Sequence, residues 1–329
     1  MLTALNSFSQ YVGNVPLKRI NFDGVNLYCK LEFYNHSGSI KDRAALNVIR
    51  RGIEDGSIKP NSTIVESSSG NFAIALGFIC RRLGLKFIPV VDPNINKLTK
   101  DLLKIIAPNM IEVTKMDKTG GYLLTRIETI QELRKEHKNC YWTNQYENPH
   151  NYQAYYEGLG EEICKDFDQL DYVFAAVSSG GTITGLSQRL KEKFPKVKII
   201  AVDLEGSVIF GHRPKRRYVS GLGSSKTPEV LKHALIDDVL MVTHEELVKG
   251  CHDLLGDTNI FGGGSSGAVY HALKSFFINQ RFDHTPTALF LCPDKGNAYI
   301  DTIYDKDWLQ KLNRETHVPY EPEFYEHAV

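Results

Sequence analysis

The chain has 329 residues, 42% hydrophobic and 24% charged, which is ordinary for a soluble globular protein and long enough for two linked subdomains. Its 39 Lys and Arg balance 39 Asp and Glu, so bulk charge supports neither nucleic-acid nor membrane-surface binding. Residues 1–10 lack the basic-then-apolar pattern of a signal peptide, and no apolar stretch approaches a membrane span, so the cytoplasm is the expected compartment.

Along the chain, short apolar runs predict strands over 26–33, 63–66, 87–91, 110–114, 172–177, 198–203, 238–242 and 288–292. Helical periodicity predicts helices between them, over 41–52, 71–83, 98–106, 121–138, 151–167, 181–194, 245–254 and 266–280. Such alternation, with continuous apolar strands, predicts an α/β fold with parallel sheets. The weakest connection, near 144–148, divides the chain into 1–145 and 146–329. The stretch 205–228 is the longest without clear periodicity, and a loop of that length inside a compact domain tends to be functional. Its basic run, His212 to Arg217, reads as a solvated segment. The six cysteines form no C-x-x-C pair and read as reduced core residues. The eleven histidines show no metal-ligand spacing, so no metal is expected.

Ligands of open α/β sheets sit where strands hand over to helices, and four such joints are unusual. The first, Ser37 to Arg43 (SGSIKDR), puts Lys41 in the first turn of a helix. The positive end of the helix dipole there favours a neutral amine, the form a Schiff base needs. Taken alone, this joint reads rather as a plain helix start capped by Ser39, because such cap sequences are common. The second, Glu66 to Asn71 (ESSSGN), offers three hydroxyls, a glycine and an amide at a helix start, more than a cap requires and suited to a carboxylate. The third, Ser178 to Thr182 (SSGGT), reads as a phosphate cradle of N–H groups and hydroxyls with no basic residue. The fourth, Gly262 to Gly267 (GGGSSG), is either a flexible turn or a close backbone approach to a ligand.

Together the joints resemble the cysteine synthase and cystathionine β-synthase family of fold-type II pyridoxal-phosphate (PLP) enzymes. The resemblance runs from Gly13-Asn14-Val15-Pro16-Leu17 to Pro293-Asp294-Lys295-Gly296. It implies a tryptophan synthase β-like fold with the active site between two parallel-sheet subdomains, and a homodimer. Lys41 would carry PLP as an imine. Asn71 would meet the cofactor's 3-hydroxyl, Ser178, Ser179, Gly180, Gly181 and Thr182 its phosphate, and Ser265 its pyridine nitrogen. Ser68, Ser69, Asn71 and Gln145 would face the substrate carboxylate. Ser178 and Ser179 depart from the family's usual glycine and threonine.

The stretches Gly120 to Ile127, Tyr141 to Tyr146 and Gly206 to Gly211, together with Ser178, look closest to one branch, the N-(2-amino-2-carboxyethyl)-L-glutamate synthases. The branch implies O-phospho-L-serine as donor, an aminoacrylate intermediate and L-glutamate as nucleophile. Its product leads to 2,3-diaminopropionate and siderophores. Arg126, Tyr146 and Ser178 become the candidates for the donor's phosphate, because an arginine fork matches phosphate or carboxylate. From the sequence alone Arg126 reads rather as a helix-surface residue paired with Glu128 or a neighbour, and the branch resemblance reverses that. Gly180-Gly181-Thr182 looks more like a cysteine synthase, which keeps sulfide with O-acetylserine or O-phosphoserine as the alternative. A non-catalytic regulator on the same fold would need neither Lys41 nor all four loops.

Overall fold

A computed structural model describes residues 1–117, 121–278 and 280–316. Apolar runs without polar alternation become strands buried on both faces. The larger sheet has the order β1-β2-β10-β7-β8-β9: β1 (Leu17–Ile20), β2 (Asn26–Leu31), β7 (Tyr172–Ala176), β8 (Lys198–Leu204), β9 (Asp238–Val242) and β10 (Thr287–Cys292). The smaller, β5-β4-β3-β6, is made of β3 (Thr63–Ser67), β4 (Lys86–Val91), β5 (Ile111–Glu112) and β6 (Cys140–Trp142). Among the described strands β1 and β2 pair antiparallel and every other pair is parallel. Along β7 and β10, Val173 and Leu289 face one core while Phe174 and Phe290 face another.

Helices cover both sheets. In chain order they are α1 (Leu2–Ser9), α2 (Lys41–Glu54), α3 (Asn71–Leu83), α4 (Lys97–Ile106), α5 (Leu123–Glu136), α6 (Pro149–Ala154), α7 (Glu161–Asp166), α8 (Gly181–Lys193), α9 (His244–Thr258), α10 (Gly264–Ile278) and α11 (Lys306–Thr316). The single helix expected over 151–167 is instead α6 and α7 joined by a π-turn, Tyr155–Gly160, with Tyr155 and Gly160 buried. The helix expected over 121–138 is shorter, and the one expected over 266–280 starts two residues early at Gly264; residue 279 lies outside the described residues.

The division expected at 145/146 does not follow the sheets. Residues 17–31 join the larger sheet, with Asn26 beside Thr287 and Leu31 beside Cys292. The physical reason is edge coverage: β7 pairs one side of β10, and β2 satisfies the backbone groups on the other. All six cysteines are free thiols, five of them buried, as expected.

Arg43, two residues after Lys41, is structural. It pairs with Glu32 (Nε–Oε2, 2.7 Å) and Glu162 (Nη1–Oε1, 2.7 Å), and the side chains of Arg43 and Glu32 are 4% and 0% exposed. The network ties α2 to the segment after β2 and to α7, so the lysine joint sits on a fixed base. Arg43→Met would strand the Glu32 carboxylate and is expected to cost about 3–5 kcal/mol, read by chemical denaturation. A loss under about 1 kcal/mol would show that the network does not secure the joint.

Candidate active site

The four joints meet. A cavity of about 350 Å³ is lined by Lys41, by Ser67 to Asn71, by Ser178, Ser179, Gly180 and Thr182, and by Ser265. Gln145, Tyr146 and Arg126 also line it. Gly181 is the one predicted site residue off the wall. It backs onto α6, where an added Cβ would come within 2.2 Å of Asn151 Oδ1.

Lys41 is the first residue of α2, and its loop is held by the Ile40 N–H, which donates to the Pro293 carbonyl at 2.8 Å beyond β10. Ser39 does act as a local acceptor, taking the Lys41 N–H at 3.3 Å. The amine reaches the third joint, with Nζ 3.3 Å from Ser179 Oγ. Burial brings the amine down to about 8, against a smaller upward pull from Asp294. Desolvation is therefore the main agent, where the sequence pointed to the helix dipole. At pH 7 roughly one amine in ten is then neutral, against fewer than about one in a thousand for an ordinary lysine.

At the second joint, Ser69 Oγ donates to Asp92 Oδ2 (2.9 Å) and accepts from the Asp92 N–H (3.1 Å) and Arg126 Nη1 (2.9 Å). That hydroxyl is fully engaged, so a carboxylate here would meet the free N–H groups at the start of α3. Ser68 Oγ accepts from the Ala73 N–H at 3.3 Å. Asn71 Nδ2 donates to Asp294 Oδ2 at 2.7 Å. Gln145 Nε2 donates to the Ser67 carbonyl at 3.4 Å, which places its amide beside the joint. Beneath lies Glu66, fully buried, accepting from Thr143 Oγ1 at 2.5 Å. Burial raises its carboxyl to about 7 against hydrogen bonds from Thr143, Gln145 and Ser67.

At the third joint, Gly180 caps α8 in the left-handed region (φ +79°), a conformation that favours glycine. The α8 N-terminus leaves its first-turn N–H groups without helical partners, and Ser179 and Thr182 line the cavity beside it. Ser178 Oγ donates to the Gly223 carbonyl at 3.1 Å. The fourth joint is a tight contact and not a flexible turn: a Cβ at Gly263 would stand 2.2 Å from Asp294 Oδ1. Ser265, 5% exposed, follows on α10.

Arg126 is not a free helix-surface residue, and its partner is neither Glu128 nor a sequence neighbour. Its Nε lies 3.3 Å from Asp92 Oδ2, so part of its charge is already offset. Gly120, beside it in the sequence motif, lies outside the described residues. Two groups escaped the sequence reading. Lys215, Arg216 and Arg217 of the basic run line the cavity. Lys215 pairs with Glu205 and Arg216 with Glu315, both on the exposed side, which fits a solvated segment. Arg217 turns inward and donates to neutral acceptors, the Gly206 carbonyl (3.1 Å) and Ser225 Oγ (3.0 Å). The other is Asp294, 5% exposed in the wall near Lys41. The length of the 205–228 loop was the one signal for Arg217; Asp294 had none of its own.

Comparison with known proteins gives concordant findings. A family model described as pyridoxal-phosphate dependent enzyme matches residues 8–294. An N-(2-amino-2-carboxyethyl)-L-glutamate synthase of Ralstonia nicotianae is 40% identical over 306 residues, covering 92% of this chain and 90% of the relative. A synthase of the same name from Cupriavidus metallidurans is 38% identical over 320 residues, covering 95% and 94%. The crystal structure of an O-acetylserine dependent cystathionine β-synthase from Helicobacter pylori superposes with a TM-score of 0.82 at 28% identity, covering 91% of this chain and 98% of the other.

Proposed function

Because the chain belongs to the pyridoxal-phosphate dependent enzymes, we propose that it joins O-phospho-L-serine to L-glutamate, giving N-(2-amino-2-carboxyethyl)-L-glutamate and phosphate. One observation carries this reading: the cavity that holds the Lys41 amine is also walled by Arg126, Arg217, Tyr146 and Ser178, a cationic and polar set suited to anionic substrates. The names of the two relatives supply the product, and with it the glutamate half; the donor rests on the cationic character of the wall.

Pyridoxal 5'-phosphate is the cofactor, and the residues present fit it. A desolvated amine, an anion cradle without a competing cation and a neutral serine hydroxyl in one cavity are the donor set it requires. Lys41 would hold its aldehyde carbon, the α8 N-terminus with Ser178, Ser179 and Thr182 its phosphate, Asn71 its hydroxyl and Ser265 its ring nitrogen. When bound, the cofactor supplies an electron sink that makes the α-proton of an amino acid removable. The N–H groups from Ser69 to Phe72, with Gln145, bind the substrate carboxylate. Lys41 Nζ takes the α-proton as general base. The Cβ–O bond to phosphate breaks, a Cβ–N bond to the glutamate amine forms in its place as that amine gives up one proton, and Lys41 Nζ returns the α-proton to Cα. Ser265, being neutral, leaves the ring nitrogen without a charge partner, which favours prompt loss of the β-substituent over transamination.

Mass spectrometry of products from O-phosphoserine or O-acetylserine, each mixed with glutamate or sulfide, tests the reading. A preference for acetylserine and sulfide would make this a cysteine synthase; the structural relative from Helicobacter pylori is named for the same donor, O-acetylserine. Donor choice has a residue-level test as well. Arg217, whose hydrogen-bond acceptors are neutral although Asp203 and Asp117 also act on its charge, should matter more for phosphoserine than Arg126, which pairs directly with Asp92. Arg217→Ala is expected to lower kcat/KM for phosphoserine about 10- to 100-fold, and Arg126→Ala less, with acetylserine affected least. Equal loss on both donors would mean that these arginines support the fold or the acceptor.

We further propose a cytoplasmic enzyme feeding 2,3-diaminopropionate and siderophore biosynthesis. It acts as a homodimer, for which light scattering is the test and a clean monomer the contrary result. Each chain divides into an N-terminal half carrying Lys41 and a C-terminal half carrying the phosphate loop, with residues 17–31 grouped with the second by their sheet. Among the described residues no helix is long and apolar enough to cross a membrane, and no metal-binding cluster occurs.

A further inference from the structure

Three of the four joints converge on one acidic residue, two through its backbone and one through its carboxylate. Asp294 follows β10 and forms a bridge with Ser39, two residues before Lys41. Its carbonyl accepts from the Gly263 N–H at 3.1 Å, which anchors the turn leading to Ser265. Its Oδ2 accepts from Asn71 Nδ2 at 2.7 Å and from the Tyr299 hydroxyl at 3.0 Å. Its Oδ1 is buried, has no hydrogen-bond partner among the described residues, and lies where a side chain at Gly263 would stand. A buried carboxylate oxygen that accepts no hydrogen bond is costly to leave charged, so its charge depends on a nearby cation.

The groups around that charge come from several elements. Lys41 on α2 is the cation. Cys251 on α9 and Tyr299 and Tyr304, between β10 and α11, are held neutral because burial pushes each of them up, and Asp294 itself pushes them further. Burial raises the Asp294 carboxyl too, while Asn71, Tyr299 and Lys41 oppose that rise. The lysine and the carboxylate thus stabilise each other's charged forms.

We propose that Asp294 is a positioning residue of the cofactor site, fixing the Asn71 amide through Oδ2 and holding a proton on the Lys41 nitrogen through its negative charge. The inference rests on the cofactor assignment and not on the identity of donor or acceptor. It explains why a glycine stands at 263, where any larger residue would displace the carboxylate. It also gives Lys41 two regimes. Desolvation makes its amine available, and Asp294 limits how far the basicity falls.

The test follows the visible absorbance of the cofactor-loaded protein against pH. Asp294→Asn is nearly isosteric and removes the charge. In the loaded protein the Lys41 nitrogen is an imine and not the free amine, so the direction alone carries over: its midpoint is expected below the wild type, since loss of a neighbouring opposite charge disfavours the protonated form. Should that variant not fold, Asp294→Ser removes the charge with a smaller side chain, and the same downward shift is expected. Cofactor affinity, by equilibrium dialysis, supplies a second readout. Asn71→Ala and Asp294→Asn together should lose less than the sum of the two single losses, because one acts through the other. An unmoved midpoint in a folded variant, or strictly additive losses, would reduce Asp294 to a strut. A wild type without visible absorbance would instead overturn the cofactor assignment.

Discussion

Lys41→Ala will leave a folded protein with no useful turnover, kcat falling at least about 10³-fold. The loss combines general-base catalysis, worth about 10² to 10⁴, with loss of the covalent attachment point. The fold should survive, because among the described residues the amine makes one hydrogen bond, 3.3 Å to Ser179, beside its interaction with Asp294. Borohydride reduction followed by peptide mapping should label Lys41 in the wild type and no lysine in the variant. Lys41→Arg should not rescue, since a guanidinium stays protonated at working pH. A second readout is independent of catalysis. The cofactor-free amine titrates at about 8 in the fold and near 10.4 when unfolded, so the unfolded chain binds more protons between those values. Stability of the cofactor-free wild type should therefore rise with pH across that window, and Lys41→Ala should lack that rise. Label on another lysine, or turnover within about tenfold of wild type, would remove Lys41 from the mechanism.

Gly181→Val will empty the cofactor site without touching a ligand atom directly. The added Cβ would overlap Asn151, 2.2 Å from its Oδ1, and Asn151 Nδ2 is bonded to the Gln145 carbonyl at 2.5 Å. Relieving the overlap must move α8 away from α6 or pull Gln145 out of the wall. Overpacking of this kind costs about 1–3 kcal/mol, which translates into roughly 10- to 100-fold weaker cofactor binding if the α8 N-terminus absorbs the shift. The ratio of cofactor absorbance to protein is the measurement. Gly181→Ala combined with Asn151→Ala removes most of the collision and should recover occupancy. Full occupancy in Gly181→Val would mean that the phosphate is held elsewhere.

Much of this site was legible before any coordinates. Ser39 to Arg43, Ser67 to Asn71, Ser178 to Thr182 and Gly263 to Ser265 each pack their chemistry into a few consecutive residues. A strand ending in glycines and hydroxyls at a helix start must leave N–H groups free, whatever surrounds it. The same locality explains the misses. Arg126 has Glu128 two positions away, yet the fold turns it to Asp92, 34 positions back. Arg217 sits in an ordinary basic run, and nothing next to it says that it alone turns inward. The β1–β2 hairpin lies in the first tenth of the chain, yet its partner β10 begins at Thr287.

The sequence by itself therefore determined the α/β alternation, the four loops and their fitness for a phosphate, a carboxylate and a reactive amine. Each depends on backbone conformation and capping within one turn of helix or strand. Tertiary structure decided what those loops do together. It brought Lys41 to Ser179 across 138 positions and Asn71 to Asp294 across 223. Burial, and no feature of the lysine's own neighbours, lowered its basicity. Desolvation and charge pairing depend on distance in space, and that distance is fixed only when the sheets have closed around the cavity.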